Sequence, residues 1–155
     1  MIDLKFMHLA LEEAKKAYEE NEVPVGAVIV YNNKVISKAH NKTITLLDPT
    51  GHAEIIALRK ACKKFNNYRL PQETTLYVTV EPCVMCLGVI LWARVGTLVY
   101  GADEHKFGAI RKYLHNDKLL IENYPKVKVV RGLLKEDAAA LMKQFFSAQR
   151  TRATF

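Results

Sequence analysis

Residues 74 to 101 read TTLYVTVEPCVMCLGVILWARVGTLVYG. Thr74 to Val80 is rich in Thr, Val and Tyr, the composition of a strand. Glu81-Pro82 ends that strand, and Pro82 suits the first turn of a helix running from Cys83 to Ala93. Gly96 to Gly101 then predicts a second buried strand. A strand, a helix and a strand in this order make a parallel pair with a right-handed crossover. The fold is therefore expected to be of the α/β class.

Before this unit, Leu4, Met7, His8, Leu11, Ala14 and Tyr18 recur at three- and four-residue steps, with Glu12, Glu13, Lys15 and Lys16 between them. The spacing predicts an amphipathic helix of about 17 residues, with His8 packed on its apolar stripe. Val25 to Tyr31 and Lys34 to Ala39 predict two strands joined by a tight turn at Asn32-Asn33. Asp48-Pro49-Thr50-Gly51 breaks the chain and opens a helix from His52 to about Phe65. After the unit, Ala102 to Asn123 is expected to be partly helical. Val127 to Val130 predicts a last strand, and Glu136 to about Arg150 a last helix. The expectation is a single domain over residues 1–155. It would have three layers, α/β/α, with a five-stranded mixed sheet and helices on both faces.

A chain of 155 residues has the size of one domain, large enough to bury a core without covalent staples. Three cysteines are too few, and odd in number, for a disulfide framework. Cys62 stands alone in a helical pattern and reads as a buried small hydrophobe. No apolar run approaches the ~18–20 residues that cross a bilayer. The start, Met1 to Phe6, has neither a basic n-region nor a cleavage site, so the expected location is the cytoplasm, with no membrane partner. Charge is lopsided. Lys126, Lys128, Arg131, Lys135, Lys143, Arg150 and Arg152 face only Glu136 and Asp137, so the last thirty residues carry +5 of the chain's +7. Basic surface of this kind attracts phosphate backbones, although it also serves solubility.

His52-Ala53-Glu54 and Pro82-Cys83-Val84-Met85-Cys86 each begin a predicted helix after a break containing proline. Cysteines at i and i+3 share a helix side, so one ion can bridge them. A helix N-terminus favours thiolate over thiol, the form a metal takes. One histidine and two thiolates are three ligands of the kind zinc accepts, leaving a fourth place for water as catalytic sites do. Glu54, two residues past His52, is free to face that water. On spacing alone the Cys-x-x-Cys also fits a thioredoxin-like dithiol. The neighbouring His-Ala-Glu favours metal.

These motifs are the signature of base-modifying zinc deaminases, His-x-Glu followed by Pro-Cys-x-x-Cys, which general accounts of those enzymes already describe. The longer strings Glu22-Val23-Pro24-Val25-Gly26-Ala27-Val28, Asp48-Pro49-Thr50-Gly51-His52-Ala53-Glu54 and Glu81-Pro82-Cys83-Val84-Met85-Cys86 resemble the bacterial tRNA-specific adenosine deaminases, within the cytidine deaminase-like superfamily. The resemblance runs from the first helix to about Gly101 and resumes in the final helix. It implies one Zn2+ per chain held by His52, Cys83 and Cys86, with Glu54 shuttling protons. It implies a homodimer that converts adenosine to inosine at the wobble position of a tRNA anticodon loop. Asn41 would hydrogen-bond the base and Val25 would line the pocket. Phe145, Phe146 and Phe155 offer rings for stacking on RNA, and Phe145 and Phe146 equally fit the core of the last helix, at least one of them being expected there.

The chain also departs from that family. Gly108-Ala109 continues through Ile110-Arg111-Lys112, where the family usually has small residues. Leu91-Trp92-Ala93-Arg94 resembles free-base deaminases, especially guanine deaminases. A deaminase of guanine, cytosine or a nucleoside is thus a second reading, and a non-catalytic zinc module that binds RNA a third. Glu54 argues against the third, because such a module needs ligands but no proton shuttle.

Overall fold

The computed structural model describes residues 2–153, and side chains from Ile2 to Thr151. Phe155 and the side chain of Arg152 lie outside the described residues. Five strands form one sheet: β1 (Gly26–Tyr31), β2 (Lys34–His40), β3 (Thr75–Val80), β4 (Thr97–Ala102) and β5 (Lys128–Arg131), in the order β2-β1-β3-β4-β5. β1 runs antiparallel to both β2 and β3, whereas β3, β4 and β5 are parallel. The sheet is mixed, as expected. Asn32 and Asn33 turn the β1–β2 hairpin, both with positive φ (51° and 61°). That backbone suits the right-handed twist of the strands, and asparagine tolerates it better than most residues.

α2 (Ala53–Phe65) and α3 (Val84–Trp92) cover one face, where Ala27, Ile29, Leu76, Val78 and Leu98 meet Leu58, Leu87 and Ile90. α1 (Leu4–Glu19) and α5 (Lys135–Ala153) cover the other, over Val28, Tyr77 and Val99. β1 and β3 are buried on both faces and therefore lack apolar–polar alternation; the edge strand β2 keeps part of it. The segment 102–123 contains a π-helical turn at Ile110–Leu114 and the short α4 (Lys118–Asn123). Among the described residues no helix is long and apolar enough to cross a membrane.

Two expectations fail. Cys62 is half-buried at the edge of the core rather than buried. His8 is exposed, not packed on the stripe of α1. The buried face of that helix is Phe6, Met7, Ala10, Leu11, Ala14 and Ala17. Three alanines bring the helix axis close to the sheet, where a Cβ on Gly26 would lie 1.9 Å from the Ala10 carbonyl oxygen. The stripe that faces the sheet runs through Met7, Ala10, Ala14 and Ala17, which leaves His8 on the outer side. The inner side of α1 is not wholly apolar. Glu13 is buried and bonds His40 Nδ1 at 3.2 Å, while Glu20 holds His40 Nε2 at 2.8 Å, tying the helix to β2.

Candidate active site

Two helices begin with residues that do not cap them. His52 is the N-cap of α2 and Cys83 that of α3, both in extended backbone (ψ 149° and 176°), and neither side chain bonds its helix. Such positions are normally filled by Ser, Thr, Asp or Asn, whose side chains turn back on the first amides. Here the imidazole and the thiol are left to point at each other. Cys86, in the first turn of α3, completes the group.

The three ligand atoms lie within 4.8 Å of one another. His52 Nδ1 is 3.4 Å from Cys86 Sγ and 3.7 Å from Cys83 Sγ. A tetrahedral ion with Zn–N of about 2.0–2.1 Å and Zn–S of about 2.3 Å needs N···S separations of about 3.6 Å. The group is placed for metal binding. Its acid–base state agrees. Cys83 is pulled down to about 4, chiefly by its hydrogen bond with Cys86, against burial and with help from His52. Cys86 shifts upward, since it holds the proton shared with Cys83 and is buried beside Glu54. His52 is raised, mainly by its bond to Cys83. These shifts favour thiolate at Cys83, and binding an ion would displace the proton that Cys86 holds. A dithiol redox pair would have no use for the third ligand.

Glu54 is in the first turn of α2 and almost wholly enclosed, at 3% exposure. Burial pushes its carboxyl up from the usual range, and His52 opposes this. A carboxyl that must both take and give a proton works best when its pKa approaches the working pH.

The start of β1 and the residues after β2 meet the segment that precedes His52. The Asn41 amide bonds the Val25 carbonyl at 3.1 Å, and the next amide, of Lys42, bonds Gly51, the residue before His52. Val25 and Asn41 therefore stand beside the ligand segment. Asn41 Nδ2 makes two long contacts of 3.4 Å, to Glu22 and Thr43. Glu22, which opens one of the resemblance strings with no role given to it there, is fully buried. Its carboxylate accepts from the amides of Ile44 (3.2 Å) and Thr45 (2.7 Å) and from the Thr45 hydroxyl (2.7 Å). One acid thus folds the loop that follows Asn41. The available signal was an acid followed by Val-Pro-Val and a buried strand.

With this geometry in view, the comparisons are decisive. A profile of the MafB19-like deaminases matches residues 1–150. The tRNA-specific adenosine deaminase of Buchnera aphidicola subsp. Baizongia pistaciae is 43% identical over 154 residues, covering 98% of this chain and 93% of its own. The chain belongs to the tRNA-specific adenosine deaminase family. A solved structure from work on A-to-I editing by tRNA:A34 deaminases superposes with a TM-score of 0.80 at 40% identity, over 90% of this chain and 99% of that one. The guanine deaminase of Bacillus subtilis is also 40% identical, but over 66% of each chain and with a TM-score of 0.62.

The departure of this family member after Gly108-Ala109 has a structural reason. Glu81, buried just before Pro82-Cys83, accepts from the amides of Glu104 (3.0 Å) and Arg111 (3.1 Å). It also accepts from Arg111 Nε at 3.0 Å, and the second guanidinium nitrogen lies 2.9 Å away. Arg111 reaches Asp103 in turn, and Asp103 holds Arg131 at 2.9 Å. Gly108 lies flat against this carboxylate, where a Cβ would come within 2.4 Å of the Glu81 oxygen. Gly108 also bridges to Cys83. The arginine ties the loop between β4 and the π-helical turn to the metal-ligand segment.

Proposed function

We propose that this chain is a zinc-dependent hydrolytic deaminase, acting as one domain, that converts adenosine to inosine at the wobble position of tRNA. The observation carrying this reading is the convergence of His52, Cys83 and Cys86 at two helix starts, with enclosed Glu54 beside them. His52 Nδ1 and the two sulfurs would hold one zinc ion, and no fourth protein ligand joins them among the described residues. Zinc would supply Lewis-acid chemistry, making water acidic near neutral pH. Glu54 takes a proton from the attacking water and delivers it to the ring nitrogen next to the reacting carbon. The carboxylate then takes the second proton from the hydroxyl now on that carbon and passes it to the departing amine, so that adenosine and water yield inosine and ammonia. Asn41 orients the base by hydrogen bonding, and Val25 forms an apolar wall.

An unpaired anticodon base enters such a pocket at low extrusion cost. Exposed Lys143 and Arg150 on α5 offer phosphate contacts, and half-exposed Phe146 a stacking face. Phe145 is a core residue instead, packed edge-on against Tyr18. A homodimer is supported by α3, which is apolar all round yet leaves Val84 and Trp92 more than half exposed. The proposed location is the cytoplasm.

Guanine deamination is the second reading, supported by the Bacillus subtilis likeness. The deciding experiment incubates zinc-loaded protein with a panel of anticodon stem-loops and with free guanine and cytosine, and measures inosine and ammonia. Inosine from an adenosine-34 stem-loop is the expected result. Ammonia from guanine, with no inosine from any stem-loop, would overturn it.

A further inference from the structure

Below the C-terminal end of α3, an open cleft of about 1180 Å³ lies against the β4–β5 side of the sheet. Its size exceeds what one drug-sized ligand fills, and it is a groove open to solvent rather than an enclosed cavity. Leu91, Val95 and Val127 give it an apolar floor. Around the rim stand Arg94, Lys126, Lys128 and Arg131. No carboxylate is among the lining residues. Arg131 is engaged by Asp103, and the Arg94 guanidinium lies over the Tyr124 ring at 5.7 Å. Lys126 and Lys128 are exposed, and among the described residues no acid pairs with either.

Lysines on an edge strand such as β5 discourage strand-to-strand aggregation, and that alone needs no cleft behind them. Two free ammonium groups over an apolar floor suit a different task. A ribonucleotide offers a phosphate to the basic rim, the electrostatic groove that single-stranded nucleic-acid sites use, and a flat base to the aliphatic floor. Continuity with the deamination site supports this chemistry. Arg111 lines the inner end of the cleft and bonds Glu81, two residues before Cys83.

We propose that this cleft is a second contact for RNA: it takes phosphates of the strand that leaves the deamination site, with Lys126 and Lys128 as principal cations. The proposal rests on the RNA reading above and extends it to a surface on the opposite face of the sheet from α5. The test measures equilibrium binding of a fluorescent anticodon stem-loop across a salt series. It compares the intact protein with Lys126→Gln/Lys128→Gln and with a control pair, Lys15→Gln/Lys34→Gln, of equal charge loss elsewhere. Each lost single-strand phosphate contact lowers the slope of log affinity against log salt by about 0.7, so the cleft pair should lose about 1.4. The control pair should leave the slope unchanged, and saturating stem-loop should restore kcat in the cleft variant. Equal slopes for the intact protein and both variants, or no stem-loop binding at all, would overturn the proposal.

Calorimetry with AMP separates the two sources of phosphate. Saturable one-to-one AMP binding that the cleft pair abolishes, with an unchanged stem-loop slope, would assign the cleft to a free nucleotide and also overturn it. Failure of the deaminase reading is seen separately, as absence of inosine from stem-loops that the protein nevertheless binds.

Discussion

Glu54 and Glu22 are both enclosed acids, yet their surroundings push them in opposite directions. Around Glu54 burial wins and the carboxyl is raised. Around Glu22 burial is outweighed by hydrogen bonds from Thr45, Ile44 and Thr43, so the carboxyl is held below its usual range. The first acid is suited to moving a proton and the second to never accepting one. Glu54→Gln should therefore keep its zinc and its fold and lose deamination by roughly 10²–10⁴-fold, the usual worth of a general acid–base. Zinc content by mass spectrometry, set beside inosine formation, checks this. Loss of metal in that variant would make Glu54 a ligand. Glu22 affects stability instead. Its unfolded carboxyl binds a proton near pH 4.3 and its folded one only at lower pH, so its contribution is complete above about pH 4.3. That contribution is lost as pH falls through the depressed folded pKa. Glu22→Gln should lower stability at pH 7 by roughly 1–3 kcal/mol and flatten the acid side of the urea-midpoint curve. An unchanged acid limb would contradict this role.

At the level of elements, α5 separates into an anchor and a surface. Ala138 packs with Leu11 and Ala102, and Phe145 sits on Tyr18, so the first half of the helix belongs to the core. Beyond Phe146 the helix carries Arg150 and Arg152. A chain truncated after Phe146 should keep its thermal midpoint within a few degrees, because the anchoring contacts remain. Its affinity for a stem-loop should fall with a shallower salt slope, by roughly 0.7–0.9 for each phosphate contact removed. Circular dichroism melts and the same salt series decide the matter. An unaltered slope would remove α5 from the RNA surface. The two site helices illustrate a different economy. By leaving their N-caps without a side-chain bond, α2 and α3 forgo about 1 kcal/mol each and gain two side chains aimed at one point.

For the whole molecule, the face of α3 is the outstanding debt to burial. Val84 is 65% and Trp92 57% exposed on a helix with no charged residue, and a Cβ on Gly88 would meet nothing within 4 Å. A second copy of the chain would cover this face close to Cys83 and Cys86. Sedimentation should show a dimer for the intact protein and a monomer for Trp92→Glu, with zinc content unaltered. A variant that still sediments as a dimer would move the interface elsewhere.

Much of the site was legible because its grammar is local. Cys83 and Cys86 are one helical turn apart, His52 and Glu54 two residues apart, and prolines mark both helix starts, so the metal-binding group that the fold assembles is made of residues the spacing had already singled out. The strand–helix–strand unit and the Asn32-Asn33 turn are local in the same sense, and the α/β class followed from them. Other features depend on partners far along the chain. Glu22 meets Thr45, Glu81 meets Arg111 and Glu13 meets His40, at separations of 23, 30 and 27 residues. Which of these meet is decided by sheet order and by how each helix is turned, and no spacing rule carries that information. His8 shows the same limit in reverse: periodicity alone put it inside, whereas the helix presents Met7, Ala10, Ala14 and Ala17 to the sheet. The cationic cleft belongs to this class too, since Arg94 and Lys126 become neighbours only when β5 closes the sheet beside β4.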